Sequence, residues 1–310
     1  MNYKKTQYER VKRLIEKGHT FNHDRGNGRF RNKRYEFVLE DSNNNLYNPM
    51  RDNILKYFKE NNIFWWGGKL TNHILSSQVA CLNHLFPIRE NKNFLLSLLK
   101  GICSDIVDIL LIPTDQYKSA YIQFEAVSNV DHLREEYSTR GRNCTSIDAL
   151  IYGQDKDGKK ILILIEWKYT ELYGNEDLAS GERGSKRKKR YKDLINKSQQ
   201  LKAGNLNSFY YEPFYQLMRQ TLWAEQMISH SHDEIIKADD YIHIHVIPRE
   251  NKQLLDKKYL PSNKNMEDNW RSLIRDQNKY KIITPKELFE PISSDGECHD
   301  LIKYLQERYW

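Results

Sequence analysis

The residues best suited to chemistry lie at the end of an apolar run. Ile161-Leu162-Ile163-Leu164-Ile165 reads as a strand buried on both faces and leads directly into Glu166-Trp167-Lys168. Alternate residues of a strand share a face, so Glu166 and Lys168 project together while Trp167 points away. An acid and a base at the end of a buried strand are costly unless they are paired or engaged in function. Upstream, Ser146 to Tyr152 reads as a second strand and carries Asp148. The segment between them, Asp155-Lys156-Asp157-Gly158-Lys159, suits a three-residue hairpin loop whose last position is left-handed and takes glycine. Asp155 then faces Lys159, and the ladder places Asp148 opposite Glu166 on the same face. A two-residue Asp157-Gly158 turn would put Asp148 on the other face. With the longer loop, two carboxylates and one ammonium converge within ~5 Å of Cβ spacing.

Like charges that close need a counter-ion. Lys168 supplies one, and a divalent cation is expected to supply the rest. Hard oxygen donors suit Mg²⁺, with Mn²⁺ as the alternative, and such an ion polarises a phosphoryl oxygen and acidifies bound water. Lys168 would orient or deprotonate the attacking water, or steady charge in the transition state. The chemistry expected is in-line hydrolysis of a phosphodiester. A cross-strand ion-pair network at a sheet edge is the structural alternative for the same three residues.

The elements that must position these residues follow from periodicity. A helix is expected over about 53–60, then an aromatic turn at Trp65-Trp66-Gly67-Gly68, with both tryptophans assigned to the core ahead of base stacking. Leu75, Val79, Leu82 and Leu85 recur at helical spacing up to Pro87, and a second helix is expected over 94–112. Strands are expected over 121–127, 146–152, 160–169 and 241–247, a helix over 213–228, and a long polar loop between the third strand and that helix. The pattern is α/β or α+β, a mixed sheet flanked by helices. Thr284-Pro285-Lys286-Glu287 has the form of a capping box that opens a C-terminal helix. We expect a mainly helical part over 1–115, a core over 116–250 and a helical C-terminal extension over 251–310, with the boundary near residue 115. His243 and His245 read as alternation on a half-buried strand, because nothing else supplies a third metal ligand.

Asp148, the hairpin, and Glu166-x-Lys168 after an apolar strand together resemble the PD-(D/E)xK nuclease superfamily, with its restriction-endonuclease-like core. Ser76-Ser77-Gln78, Arg140-Gly141-Arg142, Glu166-Trp167-Lys168-Tyr169-Thr170-Glu171 and Pro213-Phe214-Tyr215-Gln216-Leu217 further resemble a group of bacterial restriction endonucleases, over roughly residues 70–250. The superfamily's usual proline before the first acid is absent; Ile147 stands there, a common departure. The resemblance implies that Asp148, Glu166 and the Trp167 carbonyl are metal ligands and Lys168 the catalytic base or stabiliser. It implies Glu125 as a further acid, with a structural role as the alternative. On the later helix Gln216, Arg219, Gln220 and Trp223 share a face, and Gln216 best fits the position that touches the active site.

Composition agrees with a polyanion partner without demanding one. Of 310 residues 49 are Lys or Arg and 42 Asp or Glu, a formal net charge of +7. Arg140 and Arg142 are expected at substrate phosphates. Arg219 and the basic run containing Lys186, Arg187, Lys188, Lys189 and Arg190 are candidate DNA contacts, which add affinity and salt dependence but no sequence choice. No apolar run approaches the ~18 residues of a membrane span, and no signal-like stretch stands near Met1, so no membrane and a cytoplasmic location are expected. The four cysteines, Cys81, Cys103, Cys144 and Cys298, form no CxxC pair.

The function expected is a metal-dependent endonuclease cutting DNA in restriction or anti-phage defence. The alternatives are a silent nuclease-fold protein that binds nucleic acid or scaffolds a complex, and a nuclease acting on RNA or repair intermediates. Double-strand cutting would suit a homodimer. A partner methyltransferase leaves no sign in the sequence.

Overall fold

A computed structural model describes residues 2–113, 119–136 and 140–310. The boundary expected near residue 115 lies outside the described residues. A six-stranded mixed sheet is formed by β1 (Ile106–Leu110), β2 (Ile122–Ala126), β3 (Ile147–Asp155), β4 (Lys160–Trp167), β5 (Asp240–Val246) and β6 (Tyr280–Ile283). Strand β4 pairs antiparallel with β3 and parallel with β5, and β6 extends the sheet parallel to β5. The outer edge of β3 is shared: residues 147–151 pair with β2 and 152–155 with β1, both antiparallel.

The hairpin that sets the site's register has the loop read from the sequence. Ala149 pairs with Ile165 and Gln154 with Lys160. Gly158 has φ +82°, and the Asp155 carboxylate accepts the amides of Asp157 and Lys159, each at 2.9 Å. The side chain thus replaces ladder bonds that the turn cannot make.

Alternation along β3 and β4 divides the core in two. Ala149, Ile151, Ile161, Ile163, Ile165 and Trp167 face helices α1 (Tyr3–Lys17), α3 (Ser77–Leu85) and α4 (Lys92–Lys100), which follow and precede α2 (Arg51–Glu60). Leu150, Tyr152, Leu162 and Leu164 face α5 (Gly181–Lys197), α6 (Phe214–Ser229) and α7 (Met266–Leu273) on the other side. The apolar run of β4 is therefore apolar throughout because helices cover both of its faces. The Thr284 box is formed and opens α8 (Pro285–Phe289), and α9 (His299–Arg308) closes the chain onto the α3 side.

Three expectations are corrected. The helix expected over 94–112 ends at Lys100, and Ile106–Leu110 is strand β1; β-branched Ile106, Val107 and Ile109 fit a pleated surface better than a helix. The polar loop expected after β4 contains the 17-residue helix α5, which includes the whole basic run. Only Gly184, Tyr191 and Ile195 of α5 are buried, so its apolar stripe is too thin to read from sequence. The C-terminal stretch, expected to be helical, also contributes β6 to the sheet. Among the described residues no helix is long and apolar enough to cross a membrane.

Candidate active site

The site assembles where β2, β3 and β4 end together. At the last printed step of the β3–β4 ladder Ala149 faces Ile165, so Asp148 and Glu166 come next. Asp148 does not continue the ladder with its backbone alone: its Oδ2 accepts the Trp167 amide at 2.8 Å. On β4, Lys168 Nζ donates to Glu166 Oε1 at 2.5 Å, so the two alternate residues share a face and pair. The same ammonium donates to Gln216 Oε1 at 2.7 Å, and Gln220 Nε2 donates to Glu166 Oε2 at 2.5 Å. Gln216 and Gln220, one turn apart on α6, thus grip the lysine and the glutamate from the opposite layer. Glu166 is 1% exposed and Lys168 5%, whereas Asp148 is half-buried and faces a small cavity it shares with Gln78, Cys81 and Glu125.

Glu125 joins from β2 in an unusual conformation. Its φ is +48°, a region that costs a non-glycine residue about 1–3 kcal/mol and persists only where surroundings enforce it. Arg140 supplies the enforcement. Its Nε donates to the Glu125 carbonyl at 3.0 Å, and its other nitrogens reach the Phe124 carbonyl, the Tyr57 hydroxyl and Asn61 Oδ1. The Glu125 carboxylate accepts from Gln78 Nε2 at 2.7 Å and from Ser146 Oγ at 2.8 Å.

The charges do not balance. Three carboxylates, Glu125, Asp148 and Glu166, act on one another, with Lys168 beside Glu166 and Arg140 beside Glu125 as the cations. Burial, and then the charges of Glu166 and Glu125, push the Asp148 carboxyl well above the usual carboxylate range. Burial raises Glu125 as well, against the hydrogen bonds from Gln78 and Ser146. Burial alone would lower the Lys168 ammonium, but Glu166, with Tyr173, Glu171 and Asp148 behind it, holds it well above its usual value. These neighbours favour the charged form of Lys168.

The structure does not bring every sequence candidate to this point. The Arg140 guanidinium is committed inward, as described. Arg142 is exposed at the rim, stacked 4.9 Å from the Phe64 ring. Arg219 turns into a buried pair with Glu135, 3.1 Å away, a carboxylate that also takes the Tyr191 hydroxyl. On α5, Lys186, Lys188 and Lys189 are exposed, while Arg187 binds the Leu178 carbonyl and Arg190 pairs with Glu136. His243 and His245 are fully buried and face the α6 layer. Among the described residues no group of three or more His, Cys, Asp or Glu side chains is gathered as a metal cage. Four site residues carried no role in the sequence reading: Ser146, Gln220, Tyr173, whose ring lies 5.8 Å from Lys168 Nζ, and Glu212, whose buried Oε2 has no hydrogen-bond partner among the described residues. Spacing put Gln220 on the right helical face; nothing in the sequence singled out the others.

The family model described as restriction endonuclease associating with ARP matches residues 10–310. This chain belongs to that family. No curated protein matches it, and no solved structure does. Membership of this restriction endonuclease family points to a nuclease with DNA as substrate, and the mixed sheet with flanking helices agrees with a restriction-endonuclease-like α+β fold.

The raised Asp148 pKa has a sign that can be tested in this family member. The folded state holds a proton that the unfolded chain releases, so this group lowers stability as pH rises above the ordinary carboxylate range. Without divalent metal, the melting temperature of the wild type is expected to fall from pH 5 to pH 8 by more than that of Asp148→Asn. Identical pH slopes for the two proteins would contradict the burial assigned to this carboxyl.

Proposed function

We propose that this chain is a Mg²⁺-dependent endodeoxyribonuclease of the PD-(D/E)xK type, acting in restriction or anti-phage defence. The observation that carries the reading is the uncompensated group of carboxylates: Glu125, Asp148 and Glu166 at one sheet end, with Lys168 in their midst. The donors are hard oxygens, and the excess negative charge is what a divalent cation would neutralise. Asp148, Glu166 and the Trp167 carbonyl are the residues that would hold it, and Mn²⁺ would suit the same donors. When bound, the ion supplies Lewis acidity toward a phosphoryl oxygen and acidifies a coordinated water.

The chain's own residues do the rest. Lys168, its charged form favoured by Glu166, donates hydrogen bonds to the attacking water or to the charge that grows on the phosphate. Gln216 fixes its direction, and Gln220 keeps the Glu166 carboxylate aligned behind it. Glu125 is placed to carry an outer acid, held by Gln78 and Ser146. The exposed Arg142 and the α5 lysines Lys186, Lys188 and Lys189 would meet phosphates away from the reacting one. A twofold dimer would serve double-strand cutting.

The test is incubation with plasmid, single-stranded DNA and RNA, in Mg²⁺ or in EDTA. DNA cutting in Mg²⁺ is expected, with none in EDTA and none by Asp148→Ala. Cutting that survives EDTA, or that Asp148→Ala retains, would overturn the assignment. Tight salt-sensitive binding with no cutting would favour a silent nuclease fold.

A further inference from the structure

The loop between α2 and α3 splits two adjacent tryptophans. Trp65 stacks on Phe58 at 3.8 Å between ring centroids, with the planes 14° apart. Trp66, next to it, is 73% exposed. The loop is built to hold that ring outward. Gly68 donates to the Trp65 carbonyl at 2.8 Å to close the turn. Gly67 and Gly68 both lie in the left-handed region, at φ +94° and +91°, with nothing within 4 Å of where a Cβ would stand. Solvent therefore surrounds the tip, and two glycines make the sharp turn affordable in conformational terms.

The backbone of Trp66 is tied to the site. The Trp66 amide donates to Gln78 Oε1 at 3.3 Å, and the Gln78 amide donates to Glu125 Oε1 at 2.7 Å. Phe64, two residues earlier, donates its amide to the Arg140 carbonyl and carries the Arg142 guanidinium over its ring. Lys69 is exposed beside the turn. The backbone that carries this exposed indole thus stands two hydrogen bonds from a site carboxylate, and the same loop holds Arg142 over Phe64 and carries the exposed Lys69, cations that suit a polyanion. Leaving this apolar surface in water forgoes the roughly 25 cal/mol per Å² that burial would contribute to stability, and among the described residues no ring or cation is stacked on this one.

We infer that Trp66 is a stacking platform for a nucleobase next to the phosphodiester held at Asp148 and Glu166. The substrate class follows. In an intact duplex both faces of each base are already stacked, so the platform is filled by single-stranded DNA or by a base displaced from an opened duplex. This rests on the nuclease reading and narrows its substrate.

The experiment measures binding and cutting separately. In EDTA, a labelled oligothymidine and the same oligomer with one abasic site are titrated against the wild type, Trp66→Ala and Trp66→Phe at several salt concentrations. Trp66→Ala is expected to bind the intact single strand roughly 10- to 100-fold more weakly, with an unchanged salt slope. Trp66→Phe should recover part of the loss. An abasic site at the stacked position should weaken the wild type and leave Trp66→Ala unaffected, which a merely structural role would not produce. Equal affinity of Trp66→Ala and the wild type overturns the platform, as does an abasic penalty equal in both. Mg²⁺-dependent cutting by the wild type is scored in parallel: its absence defeats the nuclease reading whatever Trp66 does. A wild type that binds no nucleic acid defeats both.

Discussion

Replacing Lys168 by alanine should slow hydrolysis by about 10²–10³-fold while leaving DNA affinity nearly unchanged. The ammonium is in contact with Glu166 and Gln216, and in the proposed mechanism it donates to the charge that grows on the phosphate, so its loss would remove a transition-state donor rather than a binding contact. The same substitution has a folding cost. Glu166 is 1% exposed, and without Lys168 it keeps, among the described residues, only Gln220 as a side-chain donor. Breaking a buried ion pair from one side typically costs about 3–5 kcal/mol. A double variant, Lys168→Met with Glu166→Gln, removes both charges and should regain most of that stability while remaining inactive. Cleavage rates, DNA affinity in EDTA and urea midpoints separate the two effects. Wild-type cutting by Lys168→Ala would remove this residue from the mechanism. A double variant as unstable as the single one would mean that the pair is not what makes the site costly.

Arg308→Ala should lower stability by about 3–5 kcal/mol although it lies far from the site in sequence. Arg308 is fully buried on α9. Its guanidinium donates to the Asn45 carbonyl at 2.7 Å, to Asn45 Oδ1 at 2.5 Å and to the Tyr304 hydroxyl, and its carbon lies 5.1 Å from the Phe21 ring. One side chain thus ties the end of the chain to its first 45 residues. Removal strands several buried acceptors and leaves a void between aromatic rings. The site feels it through packing. Tyr309 meets Tyr169 edge-on at 5.3 Å between ring centroids, and His84 lies 4.7 Å from Tyr309 and 4.6 Å from Trp167, which stands between the two key residues of β4. Chemical denaturation checks the stability. Arg308→Lys should recover less than half, because an ammonium cannot bridge Asn45 and Tyr304 as a planar fork does. A loss below about 1 kcal/mol would show that α9 does not clamp the N-terminal segment.

How much of this was legible depends on how local each signal is. Hairpin register follows from a five-residue turn, and β-sheet alternation carries that register to the strand ends, so Asp148, Glu166 and Lys168 could be placed from sequence. The Thr284 capping box is equally local and is formed as read. Helix α5 escaped because its lysines and arginines look like a solvated loop when only three of 17 residues are buried. Strand β1 escaped because Ile106, Val107 and Ile109 resume the apolar content of α4 after a short break at Lys100-Gly101 and Ser104-Asp105, with no proline to mark it.

The sequence by itself determined which groups meet at the candidate site: the apolar strand, the glycine turn, and the acid, acid and lysine those two features bring together. Tertiary structure alone decided how those groups are held and reached. Gln216 and Gln220 grip Glu166 and Lys168 from another layer, Arg140 turns inward to hold Glu125 in a strained conformation, and of two neighbouring tryptophans one is buried and one faces solvent. The physical reason is range. Periodicity and turn chemistry act within a few residues and leave a trace in the chain, whereas burial, counter-charge and hydrogen-bond partners are supplied by residues tens or hundreds of positions away, brought near only by folding.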